Sequence, residues 1–330
     1  MNAHPSCPDC SDSSPLTNRR SFLKTSAGLL AASALPVIGE EKPKATGETL
    51  TTQLYKSLTE EQRKKICFAW DNPLRSKVDN NWMIVADSIA DLFKPDQQAL
   101  IHEIFHSLHS EEYKKIVYDQ VVHDSGDEGF DKSTAIAIFG EPGTGKFELV
   151  LTGRHVTRRC DGDSIEGTAF GGPIFYGHAA ESFNEKADHP GNAYWYQAKR
   201  ANEVFKALDG KQREQAMIAD GRPEKGTDTV KLTGKKEGLS GIPVGTLSAD
   251  QKDLVKKVLA DLLAPFRKAD ADEAMKLITA RGIDELHMAF SKKGDIGNDG
   301  VWDVWQIEGP NMFWYFRGAP HVHAWAHIKA

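Results

Sequence analysis

The chain is poor in cysteine and lacks a long hydrophobic run. Only four of its 330 residues are cysteine, and two of these, Cys7 and Cys10, precede the region that we expect to fold. The remaining pair, Cys67 and Cys160, is too small for a disulfide-built scaffold, although it allows one bridge. The apolar stretch 27–38 is shorter than the roughly 20 residues of a transmembrane helix. We therefore expect no stable membrane span.

The chain also lacks an excess of positive charge. It carries 41 Lys and Arg against 47 Asp and Glu, a formal net charge of −6. No single segment concentrates the basic residues, so a nucleic-acid partner is not expected. We find no internal repeat. Ordinary apolar content over nearly three hundred residues is enough for one large core.

The N-terminus resembles a twin-arginine export signal. Arg19-Arg20 is followed by Ser21-Phe22-Leu23-Lys24, the short apolar run, and a cleavage-like Ala32-Ser33-Ala34. We expect residues 1–34 to be a signal peptide, read by the twin-arginine export machinery, and the protein to be periplasmic or secreted. The Cys7-x-x-Cys10 pair would leave with the signal. Because this route carries folded proteins, often with a cofactor inserted, it favours a bound metal.

The periodicity of the remaining chain predicts an α+β fold. After a polar linker over 35–52, a single domain over 53–330 is expected to begin with helices and to continue as a mixed, mainly antiparallel sheet with packed helices. The early helices are predicted over 59–70, 82–93, from 95 and from 110. Strand patterns follow at 135–139 and 147–152, with a hairpin near 160–163. Later helices are expected over 199–208, 248–266 and 271–281, and strands over 286–290, 301–307, 312–317 and the terminal segment.

Two motifs match known signatures without their usual context. Gly140-Glu141-Pro142-Gly143-Thr144-Gly145-Lys146 fits a phosphate-binding loop, but Phe147 replaces the magnesium-binding Ser or Thr and an alternating strand pattern follows. We expect a strand connection there. His102-Glu103-Ile104-Phe105-His106 fits the HExxH zinc-protease helix. Because Ile101, Ile104, Phe105 and Leu108 form an apolar stripe, the flanking His102, His106 and His109 are expected on a solvated face of an ordinary amphipathic helix.

The most informative stretch is the C-terminal ten residues. Read as a strand, they place His321, His323, Trp325 and His327 on one face and small apolar residues on the other. Histidines at i and i+2 project nearly parallel, as metal chelation prefers. If the segment after Pro320 were helical instead, His323 and His327 would share one face at i and i+4. A polar strand face with hydrogen-bonded histidines is the simpler alternative. His155 and His178 are candidates to complete a site: His155 follows a strand with core-facing parity, and His178 ends a glycine-rich segment where the backbone can approach a site.

These segments together resemble a known family. The resemblance rests on the twin-arginine signal, Phe139-Gly140-Glu141-Pro142-Gly143, Thr152-Gly153-Arg154-His155, Gly171-Gly172-Pro173, Gly177-His178, the helix 201–209 and Pro320-His321-Val322-His323. The chain is similar to the family catalogued as domain of unknown function 3500 over most of its expected mature length. The resemblance implies one α+β domain and a role for the histidines, without an assigned reaction.

Three hypotheses about function follow from the sequence. The first is an exported protein that binds copper or zinc through His321 and His323, with contributions from His155, His178 and His327. An open coordination position on the ion would support oxidation or hydrolysis of a small-molecule substrate. The second is a metal-free envelope protein that binds a ligand or partner in an aromatic groove. The third is a HExxH zinc hydrolase.

Overall fold

One mixed sheet organises the chain. The computed structural model describes residues 46–178, 189, 191–292, 301–318 and 321–330, which belong to one compact unit. The strands in chain order are β1 Cys67–Phe68, β2 Thr134–Gly140, β3 Phe147–Gly153, β4 Val156–Cys160, β5 Ile174–His178, β6 Met217–Ile218, β7 Ile242–Pro243, β8 His287–Ser291, β9 Val304–Gly309, β10 Met312–Arg317 and β11 Val322–Ile328. Their spatial order is β1-β2-β3-β4-β5-β11-β10-β9-β8-β6, with β7 beside β8. Most pairs are antiparallel, as the sequence predicts.

Helices cover one face of this sheet. They are α1 Gly47–Ser57, α2 Glu60–Ile66, α3 Ile89–Leu92, α4 Pro95–Ser107, α5 Lys114–Asp124, α6 Gly129–Ser133, α7 Trp195–Ala207, α8 Gly210–Ala216, α9 Ala249–Leu263 and α10 Lys268–Ala280. The sequence explains α9 well: Ser248 and Gln251 form a capping box, and Val255, Val258, Leu259 and Leu262 are spaced to make one buried stripe. None of these helices is long and apolar enough to cross a membrane.

The opposite face of the sheet is covered by irregular segments. Val78 and Val230, from two such segments, pack with Phe175, Phe313 and Trp325 in a separate apolar cluster. Both faces of β2 are buried. Ile136 and Ile138 join the helix-side core, and the alternate residues Ala135, Ala137 and Phe139 pack with side chains of the segment 68–85 on the other face. Strands buried on both sides read as continuous apolar runs.

Three local expectations were wrong. The segment predicted as a linker, 35–52, already contains the start of α1 at Gly47. The predicted helix 82–93 is helical only over Ile89–Leu92, because the residues before Ile89 lie flat on the sheet. There the Trp82 indole donates to the Thr157 hydroxyl, and the Ile84 amide donates to the Thr152 hydroxyl. The hairpin predicted near 160–163 is instead a long connection from β4 to β5.

The two signature-like motifs adopt the structures that their context predicts. Gly140 and Phe147 face each other across the β2–β3 pair, so the phosphate-loop match is a strand connection. The HExxH match lies on α4, where Glu103 is exposed and the His102 imidazole contacts Asp131 at 2.6 Å. The expectation of a solvated histidine face was wrong for His109, which is buried.

Candidate metal centre

The terminal strand β11 has the two faces that its alternation predicts. Val322, Ala324, Ala326 and Ile328 join the helix-side core. Their small size lets the strand lie close to the helices. His321, His323, Trp325 and His327 therefore point to the face that the irregular segments cover. His323 is buried, and His321 is half-buried.

His155 reaches the same face from a tight turn. The β3–β4 pair closes between Gly153 and Val156, so Arg154 and His155 form a two-residue connection. His155 has a φ of 55°, a left-handed conformation that a non-glycine residue adopts at a cost of about 1 kcal/mol. The turn directs the side chain away from the row of Leu149 and Leu151. Strand alternation predicted that His155 faces the core with Leu149 and Leu151. This prediction was wrong because the strand ends before His155.

Three imidazole nitrogens converge where these elements meet. Nε2 of His323 lies 2.9 Å from Nε2 of His321 and 3.1 Å from Nε2 of His155. One ligand atom from each of the three lies within 4.8 Å of the others, and among the described residues this is the one such group of three or more His, Cys, Asp or Glu. Nitrogens around a tetrahedral zinc, each 2.0–2.1 Å from the ion, are roughly 3.3 Å apart. The two nitrogen–nitrogen distances from His323 are therefore close to those in a metal centre.

Two carboxylates, the buried Asp124 and the partly exposed Glu224, hold the outer nitrogens of two of these rings. Nδ1 of His155 donates to Oδ2 of Asp124 at 3.1 Å, and Nδ1 of His323 donates to Oε2 of Glu224. Arg317, opposite His323 in the β10–β11 pair, donates from Nε to the other Glu224 oxygen at 2.6 Å. Carboxylates in this position fix the tautomer and orientation of metal-ligating histidines.

The assigned tautomers leave lone pairs facing each other. Nδ1 of His323 also lies 2.5 Å from Nη2 of Arg317, which can only donate. In the tautomers in which Nδ1 of His155 and of His323 donates to its carboxylate, both Nε2 atoms are acceptors, and no proton lies between them. Burial, followed by the charges of Arg154 and Arg317, lowers the pKa of His155 to about 3. Burial lowers the pKa of His323 to about 4, although its hydrogen bond with Glu224 acts in the opposite direction. Burial and the neighbouring His323 lower the pKa of His321 to about 3. The three rings are therefore neutral at pH 7, which is the form that binds metals.

A glycine makes room for this arrangement. Gly177 on β5 faces His323 across the β5–β11 pair. A Cβ at this position would lie 2.1 Å from the carbonyl oxygen of Val322 and 3.1 Å from Cδ2 of His155. The close approach of β5, β11 and the His155 turn thus requires glycine here.

The structure brings together three of the five histidines that the sequence singled out. His178 lies nearby but does not join them: its Nδ1 donates to Oε1 of Gln120 at 2.8 Å, and its ring stacks on His123. Gln120 in turn donates to Asp124, so His178 supports the site through hydrogen bonds. His327 lies four residues along the strand from His323, about 13 Å away for an extended chain. Its Nδ1 donates to the Val230 carbonyl oxygen.

The other sequence candidates have structural partners. Nδ1 of the buried His109 donates to the Phe105 carbonyl oxygen at 2.7 Å, and Nε2 accepts from Arg158 at 3.1 Å. Burial first, then Arg158 and His106, hold the pKa of His109 well below its usual value. Cys67 and Cys160 are both free thiols. Trp305, Trp314 and Trp325, which were candidates to line the aromatic groove of the second hypothesis, are fully buried.

Sequence reasoning missed both carboxylates. Asp124 carried a signal, since it is the last residue of α5 and a buried acid at a helix C-terminus opposes the helix dipole. Glu224 lies in an irregular segment, and no local pattern distinguishes it from other surface acids. Its pairing with His323 arises only when the segment before Val230 folds onto the sheet.

Comparison with known proteins adds a family to this description. A family model described as "Protein of unknown function (DUF3500)" matches residues 40–329. The chain belongs to this family. The match contains every element of the DUF3500 fold described above and all three converging histidines. Neither a search of curated proteins nor a search of solved structures found a match.

Proposed function

We propose that this DUF3500 protein binds one zinc or copper ion through Nε2 of His155, His321 and His323. The observation that carries this proposal is the convergence of three neutral imidazoles, two of them oriented by carboxylates. Ion pairs that only stabilise the fold also use carboxylates, but they do not require the ring nitrogens of three histidines to converge. A cation between the rings would relieve the repulsion between their lone pairs.

The donor set restricts the ion. Three imidazoles suit zinc and copper(II), whereas hard cations such as magnesium and calcium prefer oxygen ligands. No thiolate or thioether belongs to the cluster, which disfavours copper(I). Three protein ligands leave a fourth position for water or substrate, as catalytic sites do. An ion with an open position would support hydrolysis if it is zinc, and copper would additionally support oxidation.

We further propose that the protein acts outside the cytoplasm. The twin-arginine pattern at Arg19-Arg20 supports this location, and export in the folded state would let the chain acquire its metal before translocation. The buried position of His155 and His323 fits a metal that is inserted as the chain folds.

The test is metal content with a matched pair of variants. The full chain is purified without a histidine tag, stripped with a chelator, titrated with zinc and with copper(II), and compared with His323→Ala and His327→Ala. Both histidines lie on the same face of β11, but only His323 belongs to the cluster. We expect one ion per chain for the wild type and for His327→Ala, and a large loss for His323→Ala.

Two controls keep this result interpretable. Circular dichroism shows whether His323→Ala folds, and His321→Gln, at a half-buried position, provides a milder removal of one ligand. Stoichiometric binding that is unchanged in both variants of the cluster, or absence of binding in the wild type, would contradict the proposal.

A further inference from the structure

A cleft lies on the same face of the sheet as the histidine cluster, at the other end of β11. Its volume is about 660 Å³, within the range of small-ligand sites. Trp325, fully buried against Phe175 with ring centroids 4.4 Å apart, separates it from the histidine cluster. His327, which the metal centre does not use, lines this cleft.

The cleft is rich in positive charge. Lys231, Arg281 and Lys329 line it, and all three are exposed. None of them forms an ion pair with a described residue. Asp228 is the one acidic side chain among the lining residues. Unpaired cations around a concave site favour an anionic ligand.

His327 presents a hydrogen-bond acceptor to the cleft. Its Nδ1 donates to the Val230 carbonyl oxygen at 3.2 Å, so Nε2 carries the lone pair in the neutral ring. Burial lowers the pKa of His327, which keeps this form at pH 7. A neutral Nε2 accepts a hydrogen bond from a ligand hydroxyl rather than donating to a carboxylate.

A buried hydroxyl without a partner lies in the same wall. Thr168 is 5% exposed and pairs through its backbone with Lys329. Its Oγ1 makes no hydrogen bond within the described part of the chain. Because this oxygen is shielded from solvent, it belongs to the wall of the cleft and is not one of the groups that a ligand would contact.

The wall of the cleft is built before any ligand arrives. Glu148, fully buried, accepts from Arg159 at 2.5 Å and from Arg75 at 3.0 Å. Nε of Arg159 also donates to the Pro173 carbonyl oxygen at 2.7 Å. This network fixes the 73–77 and 171–173 segments, both of which line the cleft, and a rigid site loses little entropy on binding.

We propose that this cleft binds a small hydroxylated carboxylate of the sugar-acid class. The cationic rim at Lys231, Arg281 and Lys329 takes the carboxylate, and Nε2 of His327 accepts from a hydroxyl. A neutral sugar would form no ion pair with the cationic rim, and a simple carboxylate would donate no hydrogen bond to Nε2 of His327. Both are therefore expected to bind more weakly than a sugar acid. The inference does not depend on metal binding at the other end of the strand.

The test is calorimetry on the full chain with three matched probes. D-Galacturonate carries both groups, D-galactose has the hydroxyls without the carboxylate, and acetate has the carboxylate without the hydroxyls; D-gluconate and D-glucuronate extend the acid panel. We expect saturable binding of at least one sugar acid, with galactose and acetate at least about tenfold weaker. Equal binding of galactose or acetate, or no binding of any of the three acids, would overturn the proposal.

Matched variants assign the binding to this cleft. His327→Asn keeps an amide donor for the Val230 carbonyl, but its shorter side chain places no acceptor at the position of Nε2. Lys231→Gln removes one cation of the rim. Each should weaken the sugar acid about tenfold. Lys235→Gln, in the same exposed segment but outside the cleft, should not. His323→Ala should lose metal and retain the sugar acid, so failure of the metal proposal and failure of this one are distinguishable. Unchanged affinity in both cleft variants would contradict the assignment.

Discussion

Replacing Asp124 with asparagine tests how the protein positions its histidines. The Asp124 carboxylate accepts from Nδ1 of His155 at 3.1 Å and from Nε2 of Gln120 at 3.0 Å. An asparagine amide can accept only one of these hydrogen bonds and turns an NH₂ group toward the other donor. His155 would lose its fixed tautomer. Removal of such an orienting partner weakens metal binding by about 10–100-fold, which corresponds to about 1.4–2.8 kcal/mol.

Zinc affinity is measured by competition with a chelator of known affinity, for the wild type and Asp124→Asn. Asp119→Asn is the matched control, because it makes the same substitution on the same helix at an exposed ion pair with Lys115. Such pairs contribute little, so its affinity should be that of the wild type. Thermal unfolding of the metal-free proteins separates loss of fold from loss of binding. Wild-type affinity in a folded Asp124→Asn variant would refute the role that we assign to this carboxylate.

Three further predictions concern the fold around the site. Gly177→Ala should lower the free energy of unfolding in urea by about 1–3 kcal/mol, because its Cβ would meet the backbone of β11. Gly145→Ala, at an open position in the β2–β3 connection, should be close to neutral. Equal effects of the two substitutions would contradict the packing described for Gly177. The lowered pKa of His109 means that its contribution is present above pH 6.5 and lost as pH falls below it. Between pH 7 and pH 5, His109→Gln should therefore lose less stability than the wild type. Parallel stability curves for the two proteins would exclude this. In a Cys7→Ser/Cys10→Ser background, iodoacetamide should label Cys160 only after unfolding, because burial raises the pKa of its thiol. The label is located by mass spectrometry, and a labelled Cys160 in the native protein would contradict this prediction.

The sequence predicted the architecture better than the site. Period-two alternation over the terminal residues placed His321 and His323 on one face correctly, because a strand buried on one side by small residues has a single register compatible with its core. The same reasoning misplaced His155. Parity holds only while the strand continues, and the left-handed turn at this residue reverses the direction of its side chain.

Long-range partners were beyond the sequence. Glu224 meets His323 across 99 residues of chain and Asp124 meets His155 across 31, and neither spacing follows a helical or strand period. The helix predicted over 82–93 failed for a related reason, since the hydroxyls of Thr152 and Thr157 bind this segment to the sheet and override its local preference. His327 shares the face of His323, but the length of the strand separates the two sites.

X-ray absorption spectroscopy of the metal-loaded full chain tests the central claim most directly. With zinc bound, the account predicts three nitrogen neighbours at roughly 2.0–2.1 Å with the outer-shell scattering of imidazole rings. The His323→Ala variant should lose one of these rings or the metal itself. A shell of oxygen atoms alone, or a spectrum unchanged by His323→Ala, would contradict a metal centre built from His155, His321 and His323.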